Sequence, residues 1–247
     1  MNRRVILINS TPKPLETFYW AWQVMENPIP DSLEELHMSK GELEIFYEKV
    51  LGEGLATVLE YINTVWKFEG VSRAFQQQLC RHRLASYSIQ SMRVISKENF
   101  AANHSYRFPP ELSLAGIKHY AEAMNNIQKD YRKLLKLGIP VQDARGILPL
   151  NIFSTVTMAI NFRSLISLIS KRLCYKVQDE FKEIALLMLK EISLKMEDGE
   201  VLAKYIKSPC IMNGKCMVKK HNEECLSGQD KREVCPNYAK LFVKERT

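Results

Sequence analysis

The chain has 247 residues, 46% of them hydrophobic and 26% charged, and its formal net charge is +7. This composition is ordinary for a soluble globular protein, and the long runs of Lys and Arg that favour non-specific nucleic-acid binding are absent. The longest apolar region, residues 147–169, is interrupted by a proline, two asparagines and an arginine. These interruptions exclude a membrane-spanning helix of about 18 uncharged residues.

The first part of the chain predicts one strand followed by helices. The strand is the apolar run VILIN at 5–9. Apolar residues at helical spacing predict helices over 15–26, 42–66 and 73–85. Ser39 begins the second helix, because Ser39 and Glu42 have the spacing of a capping box. Ser72 is the expected N-cap of the third helix.

The second part of the chain is mainly helical after an irregular stretch at 94–110, where Phe108-Pro109-Pro110 forbids a helix. Apolar periodicity predicts helices over 112–137, 141–145, 155–172 and 175–196. A mainly helical chain with a few strands is an α+β protein. The sequence has neither a G-x-G-x-x-G after a strand nor a G-x-x-x-x-G-K-[ST], which disfavours a Rossmann or P-loop nucleotide site.

Residues 78–93 are the most unusual segment, because three arginines and a histidine occur there among hydroxyl and amide side chains. Arg81, His82 and Arg83 would point in three different directions from a helix. Arginine presents a fixed fork of donors that suits phosphate and ring carbonyls. From the residues alone two interpretations stay open, a site that holds anionic ligands and a solvated basic helix end.

Arg81-His82-Arg83, seven further residues, Ser91, one residue and Arg93 form the spacing RHR-x7-S-x-R. This spacing is the signature of flavin-dependent thymidylate synthases, and the chain resembles that family. The resemblance covers residues 5–217 approximately. Its further matching segments are Thr57 with Glu60, Gly70–Cys80, and residues 108–110, 138–151 and 161–180.

The resemblance implies an α+β fold in which helices pack on a central curved mixed sheet. It implies one domain over 1–207, followed by a cysteine-rich tail over 208–247. It also implies a homotetramer with active sites between subunits, and small-molecule partners rather than nucleic acid or a membrane. The implied activity is reductive methylation of dUMP to dTMP, with FAD as cofactor, methylene-tetrahydrofolate as carbon donor and NADPH as reductant.

The same resemblance implies roles for individual residues. Those that match FAD contacts are Thr57, Glu60, Arg81, His82, Arg83, Leu84, Asn161, Arg163 and Ser167. Those that match dUMP contacts are Gln78, Arg81, Gln90, Ser91, Met92, Arg93, Arg145 and Arg172. Arg145 and Arg172 are expected to reach the nucleotide from a neighbouring subunit. Arg172 is the implied catalytic residue, which stabilises uracil deprotonated at N3.

An arginine suits that role chemically. The C5 atom of uracil must become nucleophilic without a cysteine adding at C6, so negative charge develops on N3 and the ring oxygens. A fixed cation in a dry site stabilises such charge, and arginine is charged at working pH. Ser91 and Arg93 can cradle the phosphate dianion. We interpret Ser91 as a ligand-positioning residue rather than a nucleophile, because no His/Asp partner lies near it in the sequence.

The chain departs from the family pattern at several positions in the flavin and folate surroundings, among them Leu55, Tyr61, Val94, Ser167 and Lys176. The residues that match dUMP contacts are nearly all retained. Two alternatives therefore stay open beside the thymidylate synthase reaction. One is transfer of a different one-carbon unit to C5 of a pyrimidine nucleotide, and the other is nucleotide binding without catalysis.

The N-terminal sequence lacks the apolar core of a signal peptide, so we expect a cytoplasmic protein whose six cysteines are reduced or metal-bound. Cys210, Cys216, Cys225 and Cys235 have the spacing C-x5-C-x8-C-x9-C, which is not a common zinc pattern. Such thiolates can still bind Zn²⁺ or an iron–sulfur cluster from loops. A regulator that senses a metal through the tail is a third alternative.

Overall fold

Four strands pair in the order β1-β2-β4-β3 to form one sheet. The structure is a computed structural model that describes residues 3–25, 30–54, 56–174 and 177–212. The strands of this sheet are β1 Arg4–Ser10, β2 Asn63–Ser72, β3 Ser86–Ile89 and β4 Phe153–Asn161. The α-helices of the described residues are α1 Pro14–Gln23, α2 Lys40–Gly52, α3 Arg73–Leu79, α4 Leu114–Lys136, α5 Val141–Ala144, α6 Phe162–Arg172, α7 Asp179–Lys195, α8 Gly199–Lys204 and α9 Pro209–Met212.

The neighbouring strands of this sheet run antiparallel, because the start of one strand lies beside the end of the next. The hydrogen bonds that show this direction are Thr11 N to Asn63 O for β1–β2, Phe162 N to Ile62 O and Arg73 N to Ile152 O for β2–β4, and Gln90 N to Thr155 O for β3–β4. The α+β class is confirmed. The expectation of a mixed sheet is wrong, since each strand of this sheet runs in the direction opposite to its neighbour.

Two segments that the sequence predicts as helix contain strands. The helix predicted over 42–66 ends at Gly52, and its last residues begin β2. The helix predicted over 155–172 starts only at Phe162, after β4. Every second residue of β4, from Ser154 to Ile160, is buried, which is the period-two pattern of a strand. Apolar residues dense enough to fit both periods do not distinguish a buried strand from a helix.

Three predicted helix boundaries are confirmed. The Ser39 hydroxyl accepts a hydrogen bond from Glu42 N while the Glu42 carboxylate accepts one from Ser39 N, which is a capping box. Ser72 caps α3, as predicted. Helix α4 ends before Gly138, whose φ of 83° favours a residue without a Cβ atom.

The described chain forms two compact units. The first consists mainly of Lys67–Met158, and its core contains aromatic side chains such as Phe100 and Tyr131. The second consists of Val5–Trp66 and the described residues from Ala159 onwards. The division into a domain over 1–207 and a tail over 208–247 stays a prediction, because residues 213–247 lie outside the described residues.

Gln128 connects α4 to the irregular stretch that precedes it in the first unit. Its side chain is buried, and its Oε1 atom accepts hydrogen bonds from Ala101 N at 2.8 Å and Ala102 N at 3.2 Å. A buried amide N–H that loses its acceptor is costly, so this one side chain holds the turn at 101–102 against the helix.

We predict that Gln128→Leu lowers the free energy of unfolding by about 1–3 kcal/mol, because two backbone donors lose their acceptor. Urea denaturation measures the change. Asn126→Leu, on the exposed side of the same helix, serves as the matched control and should change stability by less than about 0.5 kcal/mol. Equal losses in the two variants would contradict this role of Gln128.

Candidate functional site

The Arg81-His82-Arg83 segment lies in the turn between α3 and β3. Helix α3 ends at Leu79, so the helix predicted over 73–85 is shorter than expected and these residues are not helical. The side chains of Arg81, Arg83 and Leu84 are exposed, and His82 is half-buried. Neither arginine has a carboxylate within 4.0 Å among the described residues, which leaves both guanidinium groups available to an anionic ligand.

Tyr87 holds this turn in place from β3. Its hydroxyl lies 2.9 Å from Leu79 O and 2.7 Å from His82 O, so it can donate to either carbonyl. Burial raises the pKa of Tyr87 to about 12, and the hydroxyl therefore stays a donor at neutral pH. Tyr87 thus fixes both the end of α3 and His82 to strand β3.

The segment after β3 alternates between the interior and solvent. Gln90 N donates to Thr155 O at 2.9 Å and Met92 is buried in the core of the first unit, whereas Ser91 and Arg93 are exposed. The Ser91 hydroxyl accepts a hydrogen bond from Arg93 N at 3.2 Å. The buried methionine anchors the segment, so that the two residues of the S-x-R motif present a hydroxyl and a guanidinium together.

Gln142 brings two of the expected nucleotide-binding arginines together. Arg93 donates through Nη2 to its Oε1 atom at 3.1 Å, and Arg145 donates through Nε to its backbone oxygen at 3.0 Å. All three residues belong to the first unit of one chain. Gln142 therefore links Arg93 and Arg145 within one chain, while the expectation that Arg145 reaches the nucleotide from a neighbouring subunit stays a prediction.

Lys97 is a further cation of the first unit with a neutral partner, and sequence reasoning missed it. It is half-buried, and its Nζ donates to the Gln90 Oε1 atom at 3.1 Å. Burial lowers the pKa of its ammonium group. Because lysine offers only donors, Gln90 must turn its oxygen towards Lys97 and its NH₂ group away. No motif spacing marks Lys97, and only its burial without a carboxylate partner among the described residues distinguishes it.

The second unit holds the remaining expected flavin contacts. Thr57 and Glu60 are exposed on the 3₁₀ helix Ala56–Tyr61, which packs against α6. The Glu60 carboxylate accepts a hydrogen bond from Arg163 Nη1 at 2.5 Å. Asn161 caps α6 by accepting from Ser164 N at 2.9 Å. The half-buried Ser167 follows one turn after Arg163 on the same helix.

Arg172 is the last residue of α6 and is half-buried. Its guanidinium carbon lies 4.2 Å from the centroid of the Phe181 ring. Burial lowers the pKa of Arg172, although arginine stays charged in proteins. Among the described residues no carboxylate lies within 4.0 Å of it.

The family model described as thymidylate synthase complementing protein matches residues 6–196 of this chain. A protein of Pyrococcus abyssi named flavin-dependent thymidylate synthase is 35% identical over 223 residues, which cover 86% of this chain and 88% of the relative. The chain belongs to the flavin-dependent thymidylate synthase family. A second relative with the same name, from Thermococcus onnurineus, is 32% identical over 226 residues, again covering 86% and 88%.

Two solved structures show that the family fold is shared. Thymidylate synthase X of Helicobacter pylori, solved with FAD and dUMP, superposes with a TM-score of 0.67 at 21% identity, and the match covers 83% of this chain and 100% of that one. The UMP/dUMP methylase PolB of Streptomyces cacaoi, solved with 5-Br dUMP, gives a TM-score of 0.69 at 17% identity, covering 84% and 98%.

Several expectations lie wholly or partly outside the described residues. Of the tail cysteines, the backbone of Cys210 falls in α9, while Cys216, Cys225 and Cys235 are not described, nor are Leu55 and Lys176. Within the described ranges no three His, Cys, Asp or Glu side chains are grouped to hold a metal ion. The tail metal site stays a prediction. The helices that the structure describes include none long and apolar enough to cross a membrane.

We predict that Tyr87→Phe lowers the free energy of unfolding by about 0.5–1.5 kcal/mol below pH 10, because the turn carbonyls lose a donor. The folded-state pKa near 12 exceeds the ordinary value of about 10. The difference in free energy of unfolding between the wild type and the variant therefore shrinks as pH rises from the ordinary tyrosine pKa through about 12. Urea denaturation across this range measures it. Tyr61→Phe, an exposed control, should be neutral, and a wild-type advantage that grows with pH would contradict the account.

Proposed function

We propose that this chain methylates dUMP reductively at C5 to form dTMP, using FAD, methylene-tetrahydrofolate as carbon donor and NADPH as reductant. The observation that carries the proposal is the choice of neutral partners by three cations of the first unit, Arg93, Arg145 and Lys97. These three cations are held by glutamine oxygens, and no carboxylate lies within 4.0 Å of them among the described residues. Such cations keep their positive charge for an anionic ligand that arrives later.

The phosphate of dUMP fits these cations chemically. A phosphate dianion needs several donors with positive charge, and arginine guanidinium groups bind its oxygens in a fixed geometry. Arg93 and Arg145 supply two such groups, and the neighbouring Ser91 supplies a hydroxyl. The structural ion pairs elsewhere, such as Lys40 with Asp198 at 2.8 Å, neutralise their charges and offer no comparable binding site.

The uracil ring requires a different partner, which we assign to Arg172 of a neighbouring chain. Negative charge on N3 and the ring oxygens makes C5 nucleophilic, and a pre-positioned cation in a partly dry environment stabilises that charge. Arg172 is half-buried, charged and without a carboxylate partner among the described residues. We therefore keep Arg172 as the catalytic residue.

The residues that match flavin contacts fit a dinucleotide. In the first unit, the exposed Arg81 and Arg83 can bind a pyrophosphate, while in the second unit Thr57 and the Arg163–Glu60 pair offer a hydroxyl and further polar groups. FAD, when bound, supplies the hydride and one-carbon chemistry. In the homotetramer that we infer, the two sets can come from different chains.

The surface supports assembly of several chains. Large apolar side chains are exposed on the first unit, among them Leu114 at 87%, Val94 at 80% and Leu137 at 69%. Burial of such side chains between chains would remove apolar surface from water, which favours association. Light scattering after gel filtration tests the tetramer, which predicts a mass of four chains; a mass of one chain would contradict it. The cytoplasmic location remains part of this proposal.

A second candidate is C5 one-carbon transfer to another pyrimidine nucleotide. The departures that the structure describes favour it, because Tyr61 and Val94 are both exposed where the family pattern has other residues. Incubation with UMP beside dUMP distinguishes the two by mass spectrometry of the products. Exclusive conversion of dUMP to dTMP supports the first proposal, and a preferred methylated or hydroxymethylated product from UMP supports the second.

We predict that Arg93→Gln raises the Kd for dUMP by roughly 10–100-fold, because a charge-assisted hydrogen bond to phosphate is lost. Isothermal titration calorimetry measures the affinity. Lys118→Gln removes one positive charge from an exposed position of α4 and serves as the matched control, with a change of less than about twofold. The same weakening in both variants would mean that only net charge matters, which would contradict a phosphate site at Arg93.

A further inference from the structure

Phe181 supports the Arg172 guanidinium. Phe181 lies in the first turn of α7 and is only 1% exposed, and Arg172 ends α6, which packs against α7. The guanidinium carbon lies over the ring at 4.2 Å from its centroid. This distance is within the range of about 6 Å for a cation–π interaction, in which the negative face of the ring attracts the cation.

An aromatic partner leaves the charge of the Arg172 guanidinium in place, whereas a carboxylate partner would neutralise it. A carboxylate would neutralise the guanidinium and occupy its N–H groups. A ring covers one face of the planar guanidinium, while the five N–H donors lie in the guanidinium plane and point away from its edge. The Phe181 ring therefore holds Arg172 in position without neutralising its charge.

The position of Arg172 on its helix adds to this effect. The last carbonyl groups of a helix carry partial negative charge, which favours a cation there. A partly buried cation also attracts a negative ligand more strongly than an exposed one, because water screens it less. Burial lowers the pKa of Arg172, and the ring face offsets part of the lost hydration.

We propose that Phe181 is a positioning residue for Arg172, which it orients through its ring face towards the uracil anion of the bound nucleotide. This inference rests on the proposed function, because that function gives Arg172 its role. Phe181 touches no reacting atom. Its aromaticity, and not only its apolar volume, sets how well Arg172 stabilises charge on the uracil ring.

The test replaces Phe181 by mono-, di- and trifluorophenylalanine, introduced during translation. Fluorine withdraws electron density from the ring face and weakens the cation–π interaction while the side chain keeps nearly the same shape. We expect kcat to fall stepwise, about tenfold over the series. The KM for dUMP should change by less than about threefold, because the lost interaction acts mainly on charge that develops during the reaction.

Binding measurements provide a readout that needs no turnover. The ring fluorine of 5-fluoro-dUMP makes N3 more acidic, so this analogue carries more negative charge than dUMP near neutral pH. The series at Phe181 should therefore weaken binding of 5-fluoro-dUMP more than binding of dUMP, as measured by calorimetry. A general loss of packing would weaken both nucleotides equally and would overturn the proposal.

Phe18 is the matched control, because it is a fully buried phenylalanine of the same unit that packs on other rings rather than on a cation. The same fluorinated series at Phe18 should leave kcat within about twofold. Phe181→Leu should lower kcat by about 10–100-fold. Phe181→Tyr, which keeps an aromatic ring, should retain most of the wild-type kcat. Binding and kcat that do not respond to fluorination at Phe181 would overturn this proposal alone. Wild-type protein that does not bind dUMP would overturn the proposed function and this inference with it.

Discussion

The antiparallel pairing of β2 with β4 determines where two helices of this fold begin. Hydrogen bonds at both ends of this ladder, Phe162 N to Ile62 O and Arg73 N to Ile152 O, fix the register. Each strand ends in a residue whose side chain caps the helix that follows, Ser72 for α3 and Asn161 for α6. A one-residue slip would turn every strand side chain to the opposite face. The Arg81-His82-Arg83 turn after α3 and both Arg163 and Arg172 on α6 therefore depend on this pairing.

Several cations of the two units share an unusual choice of partners. Arg93 and Arg145 bond to Gln142, Lys97 bonds to Gln90, and Arg172 stacks on an aromatic ring. Neutral partners hold a side chain in position without cancelling its charge, whereas carboxylates would do both. For Lys97 and Arg172, which are half-buried, this arrangement raises the free energy of the unliganded protein, since their charges remain uncompensated. Cations held in this way remain available to negatively charged ligands.

Local chemistry in the sequence predicts helix caps correctly and strands poorly. The RHR-x7-S-x-R spacing identified the basic turn and the segment after β3, because those residues are close together in the chain. The helices capped by Ser39 and Ser72 were also predictable from local chemistry. Apolar periodicity predicts helix over parts of strands β2 and β4, because their alternation is visible only once burial is known. Lys97 and Phe181 could not be found, since their roles arise from contacts that no local pattern encodes.

The central claim is that one protein binds both a flavin and dUMP and that the two ligands interact. The most direct test is the visible absorption spectrum of the FAD-loaded protein during titration with dUMP. We expect flavin bands that shift in a saturable way, because a nucleotide next to the isoalloxazine ring changes its surroundings. A protein that cannot be loaded with FAD, or flavin bands that stay unchanged while calorimetry shows dUMP to be bound, would contradict this claim.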